Sequence, residues 1–506
     1  MERKDFYKCE LFNDKGLNSH RAVQVVMYLK LIIGFFLVLL QGALIGFLGF
    51  PKAFDGLLRK KINLKPGTPS RVVWEKLPFP MTYKVYVFNV TNEHEIGQGA
   101  KPKVAEIGPF VFEEWKDKYN IEDIEDEDAV SFNMRNTFIF RPDLGLDGEQ
   151  LITMPHPLLQ FMAITTLHNF PENLPGLAMG LDLLFKPQSA FVTSSFMDLF
   201  YRGIDVNCAD EHPAVQAICG NFQKGLVPGA IPVNATHYKF SLLGSTNHTN
   251  AGRFKVSRGK SKSFTLGQVL TFNGQDRLNV WPNSSTGSCN QLSGTDGTIF
   301  APSKRLYKNL WSFSAALCCS VSFRLSGRTI YNHLPALRYD LDFREPNICC
   351  KSSKNWISGT VDLERCTGTP MLASLPHFLK SDLPPDRLVD GLMPNTESHS
   401  SGMVFEQISG TVLAVHNRLQ FSLQVEPVPQ VSVMSKLRAQ VMPLFWIEES
   451  LELNEMFAKS LYKQIFLPMS INNIYRWISI VIGGLGLAVG IFLMYRQQTA
   501  QRVGAN

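Results

Sequence analysis

The sequence predicts a mainly β domain with an α-helical insertion, tied to a bilayer by one transmembrane helix near each end. Three observations carry this expectation. Two apolar stretches, Leu31–Phe50 and Trp477–Tyr495, lie near the ends of the chain; each has about 20 residues, enough to cross a hydrocarbon core of about 30 Å. Between them, several runs alternate apolar and polar residues with period two, the mark of half-buried strands. One segment, Met154–Arg202, is instead rich in Leu, Met, Phe and Ala at helical spacing.

Residues 1–30 read as a tail and 31–50 as the first span, with Gln41 its only clearly polar interior residue and Lys30 and Pro51-Lys52 as flanks. The late start and the length argue against a cleaved signal peptide. In the loop of residues 51–476, Lys84–Val90 is apolar on both faces, as a strand covered on both sides would be. The acidic run Glu122, Asp123, Glu125, Asp126, Glu127, Asp128 lacks the calcium-loop pattern and reads as a solvated hairpin. In Ser131–Phe140, Phe132, Met134, Phe138 and Phe140 share a face with Asn136. The helical segment, about 154–202, carries three stripes. They are Leu158, Phe161, Met162 and Thr165; Leu177, Leu181 and Leu184; and Phe191, Ser195, Met197 and Leu199, with Pro171, Pro175 and Pro187 between them. Two or three helices are expected, with a Met-rich, semi-exposed apolar surface. Leu337–Phe343 and Leu419–Glu426 return to strict alternation. The bulk therefore reads as antiparallel β, a barrel or a sandwich.

The second span, 477–495, holds Ser479 and no charge, and Arg476-Trp477 and Tyr495-Arg496 flank it as interfacial anchors do. Gly42/Gly46 and Gly486/Gly490 stand at small-x-x-x-small spacing, which either packs helices closely or is chance in apolar helices. Basic residues occur on both sides of the first span, so they do not orient it. The tail 496–506 has Arg496, Arg502 and no acid, which favours the cytosol. Four N-glycosylation acceptors, Asn89, Asn234, Asn247 and Asn283, all fall between the spans. They put the 51–476 loop outside the cell or in a lumen.

The net charge of +6 is small for 506 residues and points to no nucleic-acid partner. Of nine cysteines, all but Cys9 fall in the loop: Cys208, Cys219, Cys289, Cys318, Cys319, Cys349, Cys350 and Cys366. An even set in one extracellular segment reads as a disulfide framework. No C-x-x-C pair or finger-spaced His supports zinc, and no metal or cofactor is expected. No H-E-x-x-H, G-x-S-x-G or dinucleotide fingerprint is present; Gly259-Lys260-Ser261 lacks the upstream Gly of a phosphate loop, with Phe254 in its place. The chain is read as non-enzymatic, with a lipid-ester hydrolase as the rival reading.

Five stretches run in order through the loop: Glu106-Ile107-Gly108-Pro109-Phe110-Val111-Phe112, Gly294-Thr295-Asp296-Gly297-Thr298-Ile299-Phe300, Leu375-Pro376-His377-Phe378-Leu379, Arg418-Leu419-Gln420-Phe421 and Pro443-Leu444-Phe445-Trp446. Together they resemble the class B scavenger receptor family over nearly the whole loop, and the two-span layout is similar too. Phe88-Asn89-Val90-Thr91-Asn92, Glu114-Trp115-Lys116-Asp117-Lys118-Tyr119 and Met134-Arg135-Asn136-Thr137-Phe138-Ile139-Phe140 resemble its insect sensory neuron branch. The resemblance implies an antiparallel β-barrel ectodomain with an apical helical bundle and an internal hydrophobic tunnel running toward the bilayer. It implies a receptor or conduit for hydrophobic, lipid-like odorants such as pheromones. These would be captured at apical Leu158, Phe161, Met162, Leu177, Leu181, Leu184 and Phe185. Lys186 reads as an exposed helix-end lysine, with attraction of carboxylates or odorant-binding proteins as its functional alternative. Burial gives a long chain about 0.8 kcal/mol per CH₂, and a dry channel spares it the aqueous crossing. The implied partners are the bilayer and an odorant receptor complex, in the dendrite or cilium membrane of sensory neurons. The alternative is a scavenger receptor taking up lipoprotein or lipid in non-neuronal cells.

The resemblance also implies Cys289–Cys349 and Cys318–Cys366 bridges, and Cys208–Cys219 matches a pair of the sensory branch. The family's third bridge departs: its C-x-C is collapsed to Cys349-Cys350, and Trp356 stands where the later cysteine is expected. Cys319–Cys350 is the expected replacement, with swaps onto Cys318 or Cys349 left open.

Overall fold

The computed structural model describes residues 4–281, 288–303, 306–344 and 357–503. It divides into two units: residues 61–455, and the terminal segments 1–60 with 456–506. The larger unit is built on eleven antiparallel strands: β1 (Met81–Val90), β2 (Val104–Ile124), β3 (Ala129–Phe140), β4 (Asn250–Ser257), β5 (Val269–Phe272), β6 (Asn309–Ser314), β7 (Cys319–Tyr331), β8 (Leu334–Leu341), β9 (Gly402–Glu406), β10 (Thr411–Val425) and β11 (Gln440–Glu452). Their order is β5-β4-β3-β2-β1-β11-β10-β9-β8-β7-β6. The two end strands meet through Thr295, which bridges Gln268 beside β5 and Ser312 in β6. The sheet is thereby a nearly closed barrel, and closure hides the edges that an open sheet would offer to other chains. Gly294 makes the seam fit. Its φ is +84°, and a Cβ there would lie 2.0 Å from the Trp311 carbonyl oxygen.

The alternating runs fall on strands β3, β8 and β10. The doubly apolar run is β1, where Val85, Val87 and Phe88 are fully buried. On its second face Tyr86 stacks on Trp446 at 3.9 Å and Phe88 meets His377 edge-on. The acidic run turns the β2–β3 hairpin, as expected, but it is not merely solvated. Arg258, fully buried, donates to Glu125 and Asp123 and sits 3.4 Å from Asp128.

The first two helical stripes fold as α1 (Pro157–Asn169) and α2 (Leu174–Phe185). The third does not continue as a helix. Phe191–Ser195 pairs with Leu151–Pro155 as a two-stranded ladder, and only a π turn, Asp198–Arg202, follows. Val192 and Thr193 are β-branched and lose side-chain freedom in a helix, and the ladder gives their backbone partners directly. A further helix, α3 (Pro213–Gln223), lies beyond the expected insertion and packs on α2. Their contact is close because Gly180 has no side chain: a Cβ there would meet the Ala214 carbonyl oxygen at 2.5 Å.

In the terminal unit, one helical run covers Val23–Lys61 and another Glu455–Ala500, both long and apolar enough to cross a membrane. They pack on each other at glycines. A Cβ would fall 2.3 Å from Ser479 Cβ at Gly42, 2.7 Å from Arg476 Cβ at Gly46, 2.2 Å from the Phe35 ring at Gly486 and 2.7 Å from Ile32 at Gly490. The spacing found in the sequence is therefore the packing face of the helix pair.

Candidate ligand-binding site

α1 and α2 present an apolar surface that is divided in depth. Leu158 and Leu181 are in the core, and Phe161 is 8% exposed. Met162, Leu177, Leu184 and Phe185 are half-buried and pack against that core, while Phe170 and Met179 beside them are more than half exposed. The proline breaks explain the shape: Pro157 and Pro175 stand in the first turns, where a missing N–H costs nothing.

The same hydrophobic cluster is continuous from these helices to the sheet. It runs through stacked aromatics. Phe110 lies parallel to Phe196 at 3.7 Å, Phe196 is 4.8 Å from Phe200, and Phe200 and Phe421 both sit 5.1 Å from Phe445. Sequence reasoning did not find Phe196 and Phe200. They come from the segment read as a third helix: Phe200 stands in the π turn and Phe196 between it and the ladder.

Two histidines hold the ends of α1 with opposite electrostatics. His156 caps the N-terminus, its Nδ1 accepting from the Leu159 N–H, and packs on Phe185 at 4.9 Å. Burial pushes it down to about 4. His168 near the C-terminus faces Glu364 at 3.1 Å and Glu426 at 3.3 Å. Hydrogen bonds to Glu364 and then Glu426 push it up to about 10, so it is a doubly donating cation tying α1 to the β domain. Lys186 closes α2 in the left-handed conformation (φ 46°) and is exposed.

A second constellation lies on the other face of the sheet. Glu106 accepts from His377 Nε2 at 2.7 Å and from Trp446 Nε1 at 2.6 Å, and His399 stacks on His377 at 4.3 Å. Three such side chains within reach of one point suggest a metal, but the tautomers oppose it. His377 Nδ1 accepts the Met393 N–H and His399 Nδ1 accepts the Asn395 N–H. With Nδ1 accepting, each ring carries its hydrogen on Nε2, which has no lone pair to give. Burial and neighbouring His377 push His399 down to about 4. The cluster cross-links the Leu375–Leu379 motif to β2 and β11.

Cys208–Cys219 and Cys318–Cys366 are bonded. Cys349 and Cys350 lie outside the described residues, and with them the expected partners of Cys289 and Cys319. Asn234 is exposed, its Oδ1 closing a turn on Thr236 and His237. Asn89 and Asn247 are half-buried and hydrogen-bond to Thr153 and Phe138. Asn283 lies outside the described residues.

One nearly closed antiparallel barrel with inserted helices, in a chain that also has two membrane-length helices, defines a membrane receptor of the class B scavenger type. The chain belongs to the CD36 family, whose family model matches residues 32–494. It is similar to Sensory neuron membrane protein 1 of Aedes aegypti, 37% identical over 457 residues that cover 87% of this chain and 83% of the relative. The same protein of Anopheles gambiae is 37% identical over 478 residues, covering 91% and 87%. That of Manduca sexta is 36% identical over 471 residues, covering 91% and 89%.

Proposed function

We propose that this protein is a non-enzymatic receptor and conduit in the plasma membrane of olfactory neurons. Residues 51–476 face the outside and both tails face the cytosol. Hydrophobic, lipid-like odorants such as pheromones dock on the half-buried face of α1 and α2. They pass through the barrel to a neighbouring odorant receptor or to the membrane. The observation that carries this reading is the unbroken apolar cluster from Met162, Leu177, Leu184 and Phe185 to the sheet aromatics. The names of the similar proteins support the cellular setting. Because the rings of Phe110, Phe196, Phe200 and Phe445 are in contact, passage requires them to rotate, which makes the route gated.

The test is a recording of pheromone-evoked currents with Met162→Asp and Leu184→Asp, at matched surface levels. These half-buried positions take a charge without emptying the core, unlike Phe161 and Leu181. Currents should fall at least about tenfold, since a carboxylate in the docking face opposes burial of an alkyl chain. Unchanged currents would remove the docking assignment. Antibody detection in dendrites of antennal neurons checks the setting.

A further inference from the structure

We propose that the core face of the sheet carries a polar subsite for the uncharged oxygen-bearing end of an otherwise apolar ligand, an alcohol, aldehyde or ester, built from Glu114, Asn136 and Tyr201 around the Lys116–Glu449 pair. The inference rests on the reading that lipid-like ligands enter the barrel.

The register brings these residues together. Glu114 pairs with Phe138 and Lys116 with Asn136 across β2 and β3, while Tyr83 in β1 faces Phe112 on one side and Glu449 on the other. With period two, Glu114, Lys116, Asn136 and Glu449 share the face of Phe112 and Phe445. Tyr201 arrives from the π turn, its ring 4.6 Å from Phe112.

Charge is matched within the cluster. Lys116 donates to Glu449 and lies 3.6 Å from Glu114, and Asn417 donates to Glu449 at 3.3 Å. Hydrogen-bonding capacity is not matched. Glu114 is 2% exposed, yet its Oε2, the Asn136 Oδ1 and the Tyr201 hydroxyl are all buried and have no partner among the described residues. Three such atoms along the Phe112–Lys116 stretch of the core face are costly alone and are satisfied by a polar guest.

Their chemistry selects the guest. Burial, and then the Glu449 charge, push the Glu114 carboxyl well up, and a hydrogen bond to Glu449 engages its proton, so the unpartnered Oε2 is left as an acceptor. Glu449 stays ionised: burial raises it, but the Lys116 charge and the hydrogen bonds around it prevail and bring it to about 2. The open positions are thus one hydroxyl donor, Tyr201, and two acceptors, Glu114 Oε2 and Asn136 Oδ1, with the cation already neutralised. An ester or aldehyde carbonyl accepts from the Tyr201 hydroxyl, and an alcohol can accept there and donate to Glu114 or Asn136. A carboxylate would lie beside Glu449 with no free cation.

The experiment uses the full chain in lipid nanodiscs and four probes with one alkyl chain: hexadecane, hexadecanol, hexadecyl acetate and hexadecanoate. The acetate and the alcohol should bind about tenfold or more tighter than hexadecane, which leaves the site's polar groups unpaired, and than hexadecanoate, which brings a second anion beside Glu449. Tyr201→Phe, which removes only an unpartnered hydroxyl, should erase about tenfold of that preference while leaving hexadecane binding unchanged. Glu114→Gln should keep the preference and Glu114→Leu lose it. The carbonyl infrared band of bound hexadecyl acetate should shift to lower frequency in the native chain and return toward its alkane-solution position in Tyr201→Phe; a merely structural role for Tyr201 would not move it. If hexadecane binds but Tyr201→Phe changes neither preference nor band, the subsite is overturned and the conduit stands. If none of the four binds, both fall.

Discussion

Single side chains decide how the docking face is held. His168 has both ring nitrogens on carboxylates, and a folded value near 10 lies above the ordinary 6.5. Its contribution is therefore complete below about pH 6.5 and is lost as pH rises toward 10. His156 works the other way: its folded value of about 4 makes its contribution complete above 6.5 and lost as pH falls toward 4. α1 is accordingly anchored best near neutrality. Thermal unfolding of the full chain should show His168→Gln losing most against the native chain near pH 6, with the gap closing as pH rises through about 9. A gap that stays constant across that range would remove the ion-pair role. None of this was legible in the sequence, because Glu364 and Glu426 are distant in the chain and only folding brings them to one imidazole. Arg258 teaches the same lesson: the acidic run announced a hairpin, but nothing in it named the buried guanidinium it grips.

At the scale of elements, the strands were legible and their closure was not. Period-two alternation marked β3, β8 and β10 because each buries one face. The seam depends on Gly294 and Thr295, whose motif carries no strand signal. Gly294→Ala should destabilise the barrel by about 2 kcal/mol or more, from the positive φ and the collision with Trp311 together. The check is chemical unfolding of the full chain, and a change below about 0.5 kcal/mol would mean the seam relaxes freely. Among the helices, two stripes of apolar residues became α1 and α2. The third failed since Leu151–Pro155 offers Phe191–Ser195 a ladder, a tertiary partner that outweighs local periodicity.

For the whole molecule, the terminal helices associate through glycine contacts rather than through apolar bulk, which lipid tails satisfy equally well. Gly486→Leu drives a side chain into the Phe35 ring and should cost about 1–3 kcal/mol of helix pairing. Gly34→Leu is the control, since a Cβ at Gly34 meets nothing within 4 Å. Unfolding in graded detergent should separate the two variants; equal behaviour would discard the glycine face. The larger unit gains from two observed bridges, Cys208–Cys219 and Cys318–Cys366, the second constraining a longer loop.

Sequence alone determined the two spans, the β character between them and the apolar helical insertion, because each follows from local periodicity and length. The tertiary structure alone decided which insertion residues are core and which remain half-open, how aromatics in and just before a π turn join the helices to the sheet, and where unpartnered polar atoms are buried among them. Those properties depend on pairings between residues far apart in the chain, and burial is fixed only when such partners meet.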